Sequence, residues 1–277
     1  MQDIDSAAVS QLRDSSSEEL LREIERKKKV WRWAPWVGGA GFLFLLWLVL
    51  AGAPDFALIV YCPLLALATW GAHQRDELEK SVVLFYELDS EMEAMFSRFC
   101  DAFDRLKSCR RVWHVEAQGD VEDWKRNAGA ARLLRRSGIT LRLSTPSFLK
   151  TNLSVPVIPV GRQKLFFFPD RILIFDFAGV GAVGYGDLRL ERRATPFIED
   201  GAVPSDAQVV DHTWKFVNKR GGPDRRFRDN REIPIALYEQ LHFSSRSGLN
   251  ELVQVSSQGA GQGFERELRR LAEKIPA

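Results

Sequence analysis

Two runs without charged residues dominate the hydropathy pattern of the chain. Residues 33–54 carry no charged side chain, and residues 56–72, which follow Asp55, carry none either. A helix needs about 20 mostly apolar residues to cross a hydrocarbon core about 30 Å thick. Pro54, in the short segment between the runs, cannot continue a helix. The pattern therefore predicts a two-helix transmembrane hairpin over residues 33–72.

Basic residues flank these runs, whereas the segment between them carries only an aspartate. Because short loops rich in lysine and arginine stay on the cytoplasmic side, we expect a two-pass protein of the bacterial inner (cytoplasmic) membrane with both termini in the cytoplasm. Tryptophan and basic side chains anchor such helices at the membrane–water interface. The predicted interface residues are Lys27, Lys28, Lys29, Trp31, Trp33, Trp36 and Trp70.

Two other interpretations of the apolar runs fit the sequence less well. Residues 37–50, followed by the small residues 51–53, imitate a signal peptide, but a long polar lead precedes them and a second apolar run follows. A buried helical hairpin in a soluble domain would show polar residues on at least one face of each helix. Both runs are apolar on every face, which favours the membrane.

A helical pattern follows from about residue 74 to residue 113, with apolar residues at steps of three and four. Phenylalanine dominates its apolar stripe, which needs a covering partner, either a neighbouring helix of the same chain or a second copy in a coiled coil. A second helix is predicted over residues 120–136. We therefore expect a helical stalk over residues 73–137, and a polar and basic N-terminal segment over residues 1–32.

Period-two alternation replaces the helical pattern after residue 138. Runs of β-branched and aromatic residues alternate with turn residues up to residue 256, and residues 263–274 show an amphipathic helical pattern. Several antiparallel strands closed by one C-terminal helix have the element order of pleckstrin-homology-like domains. The predicted fold class is α+β: a transmembrane hairpin, a long helical stalk and an antiparallel β-rich cytoplasmic head over residues 138–277.

Composition excludes some chemistries. The formal net charge is only +2, and acidic residues interleave with basic ones, which argues against nucleic acid as the partner. Cys62, Cys100 and Cys109 form no CxxC pair and have no histidine partners, so we predict no metal site and no cofactor. The pattern G-x-G-x-x-G at residues 179–184 is not followed by a helical pattern and fails as a dinucleotide fingerprint.

Four motifs carry a resemblance to a known family. They are VWHVEAQG at residues 112–119, IPVGRQ at 158–163, FFPDR at 167–171 and GGPDRRF at 221–227. With these motifs, residues 105–275 resemble an uncharacterised bacterial domain family, a cytoplasmic module that is joined to alternative N-terminal pieces, here a two-helix membrane anchor. The resemblance implies a domain boundary near residue 105 and implies no activity.

One polar segment of the head contains many residues of types that bind ligands or protein partners. Arginine forks bind phosphate or carboxylate through paired hydrogen bonds, glycine turns expose backbone amides, and tryptophan stacks on flat groups. The alternative is a solvated hairpin loop whose arginines pair with neighbouring acids. The candidate ligand- or partner-binding residues are Asp211, His212, Trp214, Asp224, Arg225, Arg226, Arg228, Asn230 and Arg231.

These observations predict a membrane-anchored, non-enzymatic adaptor or sensor that binds the lipid bilayer and a protein partner or a second copy of itself. One alternative is a membrane-perturbing effector, for example in a bacterial antiviral system, that oligomerises through its hairpin when the head senses a signal. Another is a phosphoester-processing enzyme in which His212 acts as a general base oriented by Asp211 or Asp224. Adjacent strand residues point to opposite faces, which disfavours Asp211 in that role. We assign no catalytic residue.

Overall fold

The structure is a computed structural model that describes residues 2–4, 6, 12, 18–28, 33–52, 54–80, 82–120, 132–146 and 149–275. Its elements in chain order are β1 (Gln2–Asp3), α1 (Glu18–Lys28), α2 (Ala34–Leu50), α3 (Asp55–Lys80), β2 (Val82–Val83), α4 (Ser90–Lys107), β3 (Val112–Asp120), β4 (Arg132–Gly138), β5 (Arg142–Ser144), β6 (Leu149–Lys150), β7 (Val155–Val160), β8 (Gln163–Phe167), β9 (Arg171–Phe175), β10 (Val180–Gly184), β11 (Leu188–Ile198), β12 (Gln208–Trp214), β13 (Glu232–Ser245), β14 (Asn250–Val255) and α5 (Ala260–Lys274).

The chain divides into two compact units. The helical unit comprises Glu19–Tyr86 and Thr145–Asn152. The β-rich unit comprises Met1–Glu18, Glu87–Ser144 and Leu153–Ala277. Strands β2 and β6 form a short parallel pair within the helical unit.

In the helical unit, α2 lies against α3 and is capped by it. Asp76 of α3 accepts hydrogen bonds from the backbone N–H groups of Trp33 and Ala34, at 3.0 and 2.9 Å. The first N–H groups of a helix have no partner in their own helix, so a carboxylate there satisfies them and complements the helix dipole. The Tyr61 hydroxyl donates to the Gly41 carbonyl oxygen at 2.9 Å. The rest of the α2 surface is apolar, and no residue of this helix is buried.

The membrane part of the predicted fold is wrong. Within the described residues, one helical segment, Asp55–Asp76, has the length and apolar composition needed to cross a bilayer. The other apolar helix, Ala34–Leu50, has only 17 residues, and the chain leaves it at Gly52, where φ is +69°. One candidate span does not fit a two-pass protein. The predicted transmembrane hairpin and the two-pass inner-membrane location are therefore both corrected.

The predicted long stalk is wrong as well. α3 ends at Lys80, and the chain is not helical from residue 82 to residue 89, so the pattern over residues 74–113 does not form one helix. Asp89 starts α4 as its N-cap and accepts a hydrogen bond from the Met92 N–H group at 2.7 Å. The apolar stripe of α4 is covered within the β-rich unit, where Phe99 contacts Phe167 of β8 and Phe264 of α5.

The predicted helix over residues 120–136 is also not observed where the structure describes this region. Its first residue ends strand β3, and its last five residues belong to strand β4, which pairs with β3. The prediction for residues 121–131 lies outside the described residues.

Antiparallel pairing builds two sheets in the β-rich unit. The seven-stranded sheet has the order β1-β3-β14-β13-β11, with β4 also paired to β3 and β12 also paired to β13. The five-stranded sheet is a meander of β5, β7, β8, β9 and β10. Strand β13 is the long central strand of the larger sheet, because β11 pairs with its residues 235–245 on one edge while β12 pairs with residues 232–237 and β14 with residues 239–244 on the other. The molecule is thus rich in sheet, in place of the predicted stalk-bearing fold.

The core of the β-rich unit lies where α4, α5 and both sheets meet. Phe264 of α5 contacts Phe99 of α4, Phe167 of β8 and Phe243 of β13, with ring centroids 5.0, 5.7 and 6.3 Å apart. All four rings are fully buried. Offset and edge-to-face contacts of this kind stabilise a core beyond the area that they bury. This cluster holds the seven-stranded sheet, which carries the candidate site.

Candidate functional site

The first part of the candidate set lies on strand β12. Asp211, His212 and Trp214 follow a bulge at residues 209–211, where β12 pairs irregularly with β13. The Asp211 carboxylate accepts a hydrogen bond from the His212 backbone N–H group at 2.8 Å rather than from its imidazole. Both side chains are exposed, and Trp214 is half-buried. The geometry therefore does not orient His212 as a general base through Asp211.

The second part of the set builds the loop that connects β12 to β13, which we call the arginine loop (residues 215–231). Asp224 is buried, and its carboxylate accepts hydrogen bonds from the backbone N–H group of Arg226 and from the guanidinium of that residue, the shortest at 2.6 Å. This interaction raises the pKa of Arg226. Phe216 and Phe227 stack with centroids 4.1 Å apart. Asp224 and Arg226 thus form an internal brace rather than an open recognition pair.

Asparagine side chains complete the loop. Asn230 accepts a hydrogen bond from the Phe216 N–H group at 3.0 Å and donates to the Phe216 carbonyl oxygen at 2.7 Å. Asn218 accepts from the backbone N–H groups of Arg220 and Gly222 at 2.8 and 3.2 Å. These bonds add to the backbone pairing within the loop, where Val217 and Pro223 form an isolated antiparallel bridge, because each asparagine supplies both a donor and an acceptor. The glycine turn therefore directs its Gly222 amide inward and not toward an anion.

Arg231 pairs with an acid outside the loop. Its guanidinium donates to the Asp200 carboxylate at 2.6 Å, and Lys215 lies 3.5 Å from the same carboxylate. The hydrogen bond from Arg231, assisted by the charge of Lys215, lowers the pKa of Asp200. Arg231 therefore ties the end of the arginine loop to the end of β11, an exposed contact of small energetic value.

Four cationic side chains of the loop point away from this framework. Lys219, Arg220, Arg225 and Arg228 are exposed, and within the described part of the chain none of them forms a side-chain hydrogen bond or an ion pair. The sequence prediction included Arg225 and Arg228 but missed Lys219 and Arg220. Their position beside the glycine turn was the signal that would have found them. Of the predicted set, the structure thus uses Asp224, Arg226, Asn230 and Arg231 internally and leaves Arg225 and Arg228 outward.

A buried polar pair lies elsewhere in the β-rich unit. His114 of β3 and Glu251 of β14 are both buried, and the Nε2 and Oε2 atoms of the pair lie 2.8 Å apart. The Ser6 hydroxyl donates to Glu251 Oε1 at 2.6 Å. In a catalytic triad the imidazole stands between the acid and the hydroxyl, whereas here the carboxylate stands between the other two. The arrangement stabilises the sheet and does not activate Ser6.

The predicted interface residues have separate outcomes. Trp33, Trp36 and Trp70 are exposed in the helical unit, Trp36 with 62% of its surface accessible. Lys27 lies 3.4 Å from Glu23 on the preceding turn of α1. The side chain of Lys28, and Lys29 and Trp31 altogether, lie outside the described residues. No group of three or more histidine, cysteine or acidic residues in the described part of the chain is arranged to hold a metal ion.

Comparison with known proteins adds no assignment to this geometry. No family model, no curated protein and no solved structure matches the chain. The physical character of the arginine loop and of the apolar helices therefore carries the functional argument.

Proposed function

We propose that this chain is a non-enzymatic binding protein that attaches to a lipid bilayer through its helical unit and binds an acidic segment of a protein partner through its arginine loop. The observation that carries the proposal is the exposure of large apolar side chains on α2 and α3. An adaptor that holds a partner at a membrane needs one surface for the bilayer, here the helical unit, and one for the partner, here the arginine loop.

Many large apolar side chains of the helical unit are exposed to solvent. Trp47 of α2 is 59% exposed, and no part of the most apolar stretch of α3 is buried. Apolar patches of this kind mark sites of membrane or protein interaction. The segment Asp55–Asp76 has 22 residues, a length of about 33 Å at 1.5 Å per residue, which matches a hydrocarbon core of about 30 Å. A bilayer is therefore the environment that fits α3 best.

Carbonate extraction of membranes tests the attachment. Leu64→Arg places a cation at the middle of α3, where immersion in hydrocarbon costs about 2.5–3.5 kcal/mol. We expect the unmodified chain to remain in the membrane pellet and the Leu64→Arg chain to be released in large part. Val210→Arg, a change at an exposed apolar residue of β12, is the matched control and is expected to stay in the pellet. Complete release of the folded, unmodified chain would refute the attachment.

The arginine loop supports the choice of partner. Its framework is satisfied internally, so the four outward cations are held on an ordered frame, and none of them forms a side-chain ion pair in the described part of the chain. Arginine pairs with carboxylates through its planar fork and needs no deep pocket. Separate exposed cations on one loop suit a run of aspartate and glutamate residues on another protein. The small net charge of the whole chain disfavours nucleic acid.

Fluorescence anisotropy with a labelled decapeptide of aspartate and glutamate tests the loop. Arg225→Ala/Arg228→Ala removes two outward cations without touching the Asp224 brace, and we expect it to weaken binding about tenfold, as two surface pairs of up to about 1 kcal/mol each allow. Arg189→Ala/Arg193→Ala, which removes two exposed arginines of β11, is the matched control and is expected to bind like the unmodified chain. Equal loss in both variants would refute a local site. Tighter binding of an oligonucleotide with the same number of charges would replace the protein partner by nucleic acid.

A further inference from the structure

On one face of the seven-stranded sheet, three aromatic rings surround the guanidinium of Arg136. The Cζ atom of Arg136 lies 4.1 Å from the ring centroid of Trp113, 3.9 Å from that of Phe197 and 5.4 Å from that of Tyr238. Its Nη1 atom donates to the Gln254 side-chain oxygen at 2.9 Å, and its Nη2 atom pairs with the Glu199 carboxylate. We call these five surrounding residues the aromatic cage.

Strand pairing builds this cage from four different strands. Trp113 of β3 lies directly opposite Gln254 of β14, and paired residues of antiparallel strands share one face of the sheet. Tyr238 of β13 is on the same face, and its ring packs against Trp113 and Phe197 with centroids 5.1 and 5.9 Å apart. Glu199 follows β11 directly. Because these strands are held by the buried core on their other face, the cage is pre-formed.

The cage supplies both the aromatic faces and the hydrogen-bond acceptors that bind a guanidinium. Aromatic faces attract a cation through their quadrupoles, and the planar guanidinium stacks on them better than a hydrated ammonium does. The carboxylate and the amide oxygen accept from two different nitrogens. Tyr238 donates its hydroxyl to Glu199 at 2.9 Å, and burial together with that hydrogen bond raises the pKa of Tyr238, so the phenol stays protonated and orients the carboxylate.

Arg136, which supplies the guanidinium, lies on a strand that contributes no residue to the cage. Arg136 belongs to β4, which is held to the sheet by β3 alone, with a register shift at Val115–Ala117, whereas β3, β13 and β14 are each paired on both edges. Edge strands have fewer hydrogen bonds to lose when they separate. We propose that the aromatic cage binds an arginine side chain of a protein partner and that Arg136 fills it in the unbound chain. This inference goes beyond the proposed function and does not depend on the arginine loop.

Competition follows from this arrangement. An arginine from outside meets a cage that the tethered Arg136 already occupies, so its apparent affinity falls by the fraction of time the cage is vacant. Removing the guanidinium of Arg136 therefore strengthens binding of an external arginine. Arg135→Ala changes the exposed neighbour on the same strand, which makes no ion pair in the described part of the chain, and is the matched control.

The experiment uses the full chain in mild detergent, labelled with 5-fluorotryptophan, and follows the fluorine resonance of Trp113, which Trp113→Phe assigns. N-acetyl-arginine amide is the probe, and N-acetyl-lysine amide has the same charge without the fork. We expect Arg136→Ala to show a saturable shift at a probe concentration at least tenfold lower than the unmodified chain requires, with Arg135→Ala unchanged and the lysine probe weaker.

Two results would overturn the inference. If the Trp113 resonance of a folded Arg136→Ala chain does not shift with the arginine probe, the cage does not bind an external arginine. An unmodified chain without any saturable shift has a cage that serves only Arg136. If Arg136→Ala folds poorly, its melting temperature should still rise more with the arginine probe than with the lysine probe, because a ligand of the folded state stabilises it. Arg136→Lys keeps a weaker occupant and should bind the arginine probe with intermediate affinity.

Discussion

Arg192 neutralises a fully buried carboxylate, and its removal should destabilise the β-rich unit strongly. Glu239 of β13 has no exposed surface, and its Oε1 atom accepts from Arg192 Nη1 at 2.6 Å. Its Oε2 atom accepts from the Gly261 backbone N–H group at 3.0 Å, in the first turn of α5. In the Arg192→Ala chain this N–H group is the donor that remains among the described residues, so most of the buried charge is uncompensated.

The magnitude follows from the exposure of the pair. Breaking a buried ion pair by removing one partner costs about 3–5 kcal/mol. The Arg192 side chain is 31% exposed, so water reaches part of the vacated space and we take the lower end, about 3 kcal/mol. That loss lowers the melting temperature of a unit of this size by about 6–12 °C. Arg193→Ala, at the exposed next residue of β11, should cost less than about 0.5 kcal/mol.

Urea titration in mild detergent, followed by near-ultraviolet circular dichroism, measures both variants. The decisive arm adds Glu239→Gln to the Arg192→Ala chain. The amide keeps an acceptor for Gly261 and removes the charge, so the double variant should be more stable than Arg192→Ala alone. If Arg192→Ala loses no more stability than Arg193→Ala, or if Glu239→Gln gives no recovery, the reasoning from a buried uncompensated carboxylate is refuted.

Three further predictions test other contacts. Burial, together with Asp101 and Asp104, raises the pKa of Cys100 to about 12, so at pH 8 its thiolate fraction and its alkylation rate should be roughly a thousandfold below those of an unperturbed thiol and should rise with pH; an alkylation rate equal to that of N-acetyl-cysteine amide contradicts this. Gly261→Ala should destabilise the β-rich unit by about 1–3 kcal/mol in the same urea titration, because the added Cβ would lie 2.6 Å from Leu241 Cδ2. Gly263→Ala is the control and should be tolerated, because its Cβ would make only ordinary contacts. Asp224→Ala should open the arginine loop and speed tryptic cleavage after its arginines, and Asp229→Ala, at an exposed acid of the same loop, should not; equal cleavage rates would show that the brace does not hold the loop.

Strand and helix positions in the second half of the chain followed from local pattern. The strand-like runs up to residue 256 predicted strands in the region of β13, and the amphipathic pattern over residues 263–274 predicted α5. Both patterns reflect burial on one face, which the sequence displays directly. The helix predicted over residues 120–136 failed because β4 gains pairing with β3, a contact distant enough that local propensity does not reveal it.

The stalk and the hairpin failed for a different reason. Periodicity continues from α3 toward α4, but it does not reveal that the chain is not helical from residue 82 to residue 89. It also does not reveal that the α4 stripe packs against α5 and strand β8. Hydropathy likewise marks two apolar runs but not where each helix ends. The structure ends α2 after 17 residues, which leaves α3 as the one candidate span among the described helices.

The arginines show most clearly why the candidate site could be predicted only in part from the sequence. Arg136, Arg192 and Arg225 have the same side chain, yet one is enclosed by aromatic rings, one compensates a buried carboxylate and one points into solvent. Each environment is made by residues far away in sequence, such as Phe197 beside Arg136 and Glu239 beside Arg192. A density of arginine along the chain therefore indicates the capacity to recognise anions, but the partners that fold places around each guanidinium decide which arginines remain available. By that criterion Arg225 and Arg228 are available to an acidic partner, while the cage around Arg136 is the place where a partner's own arginine would bind.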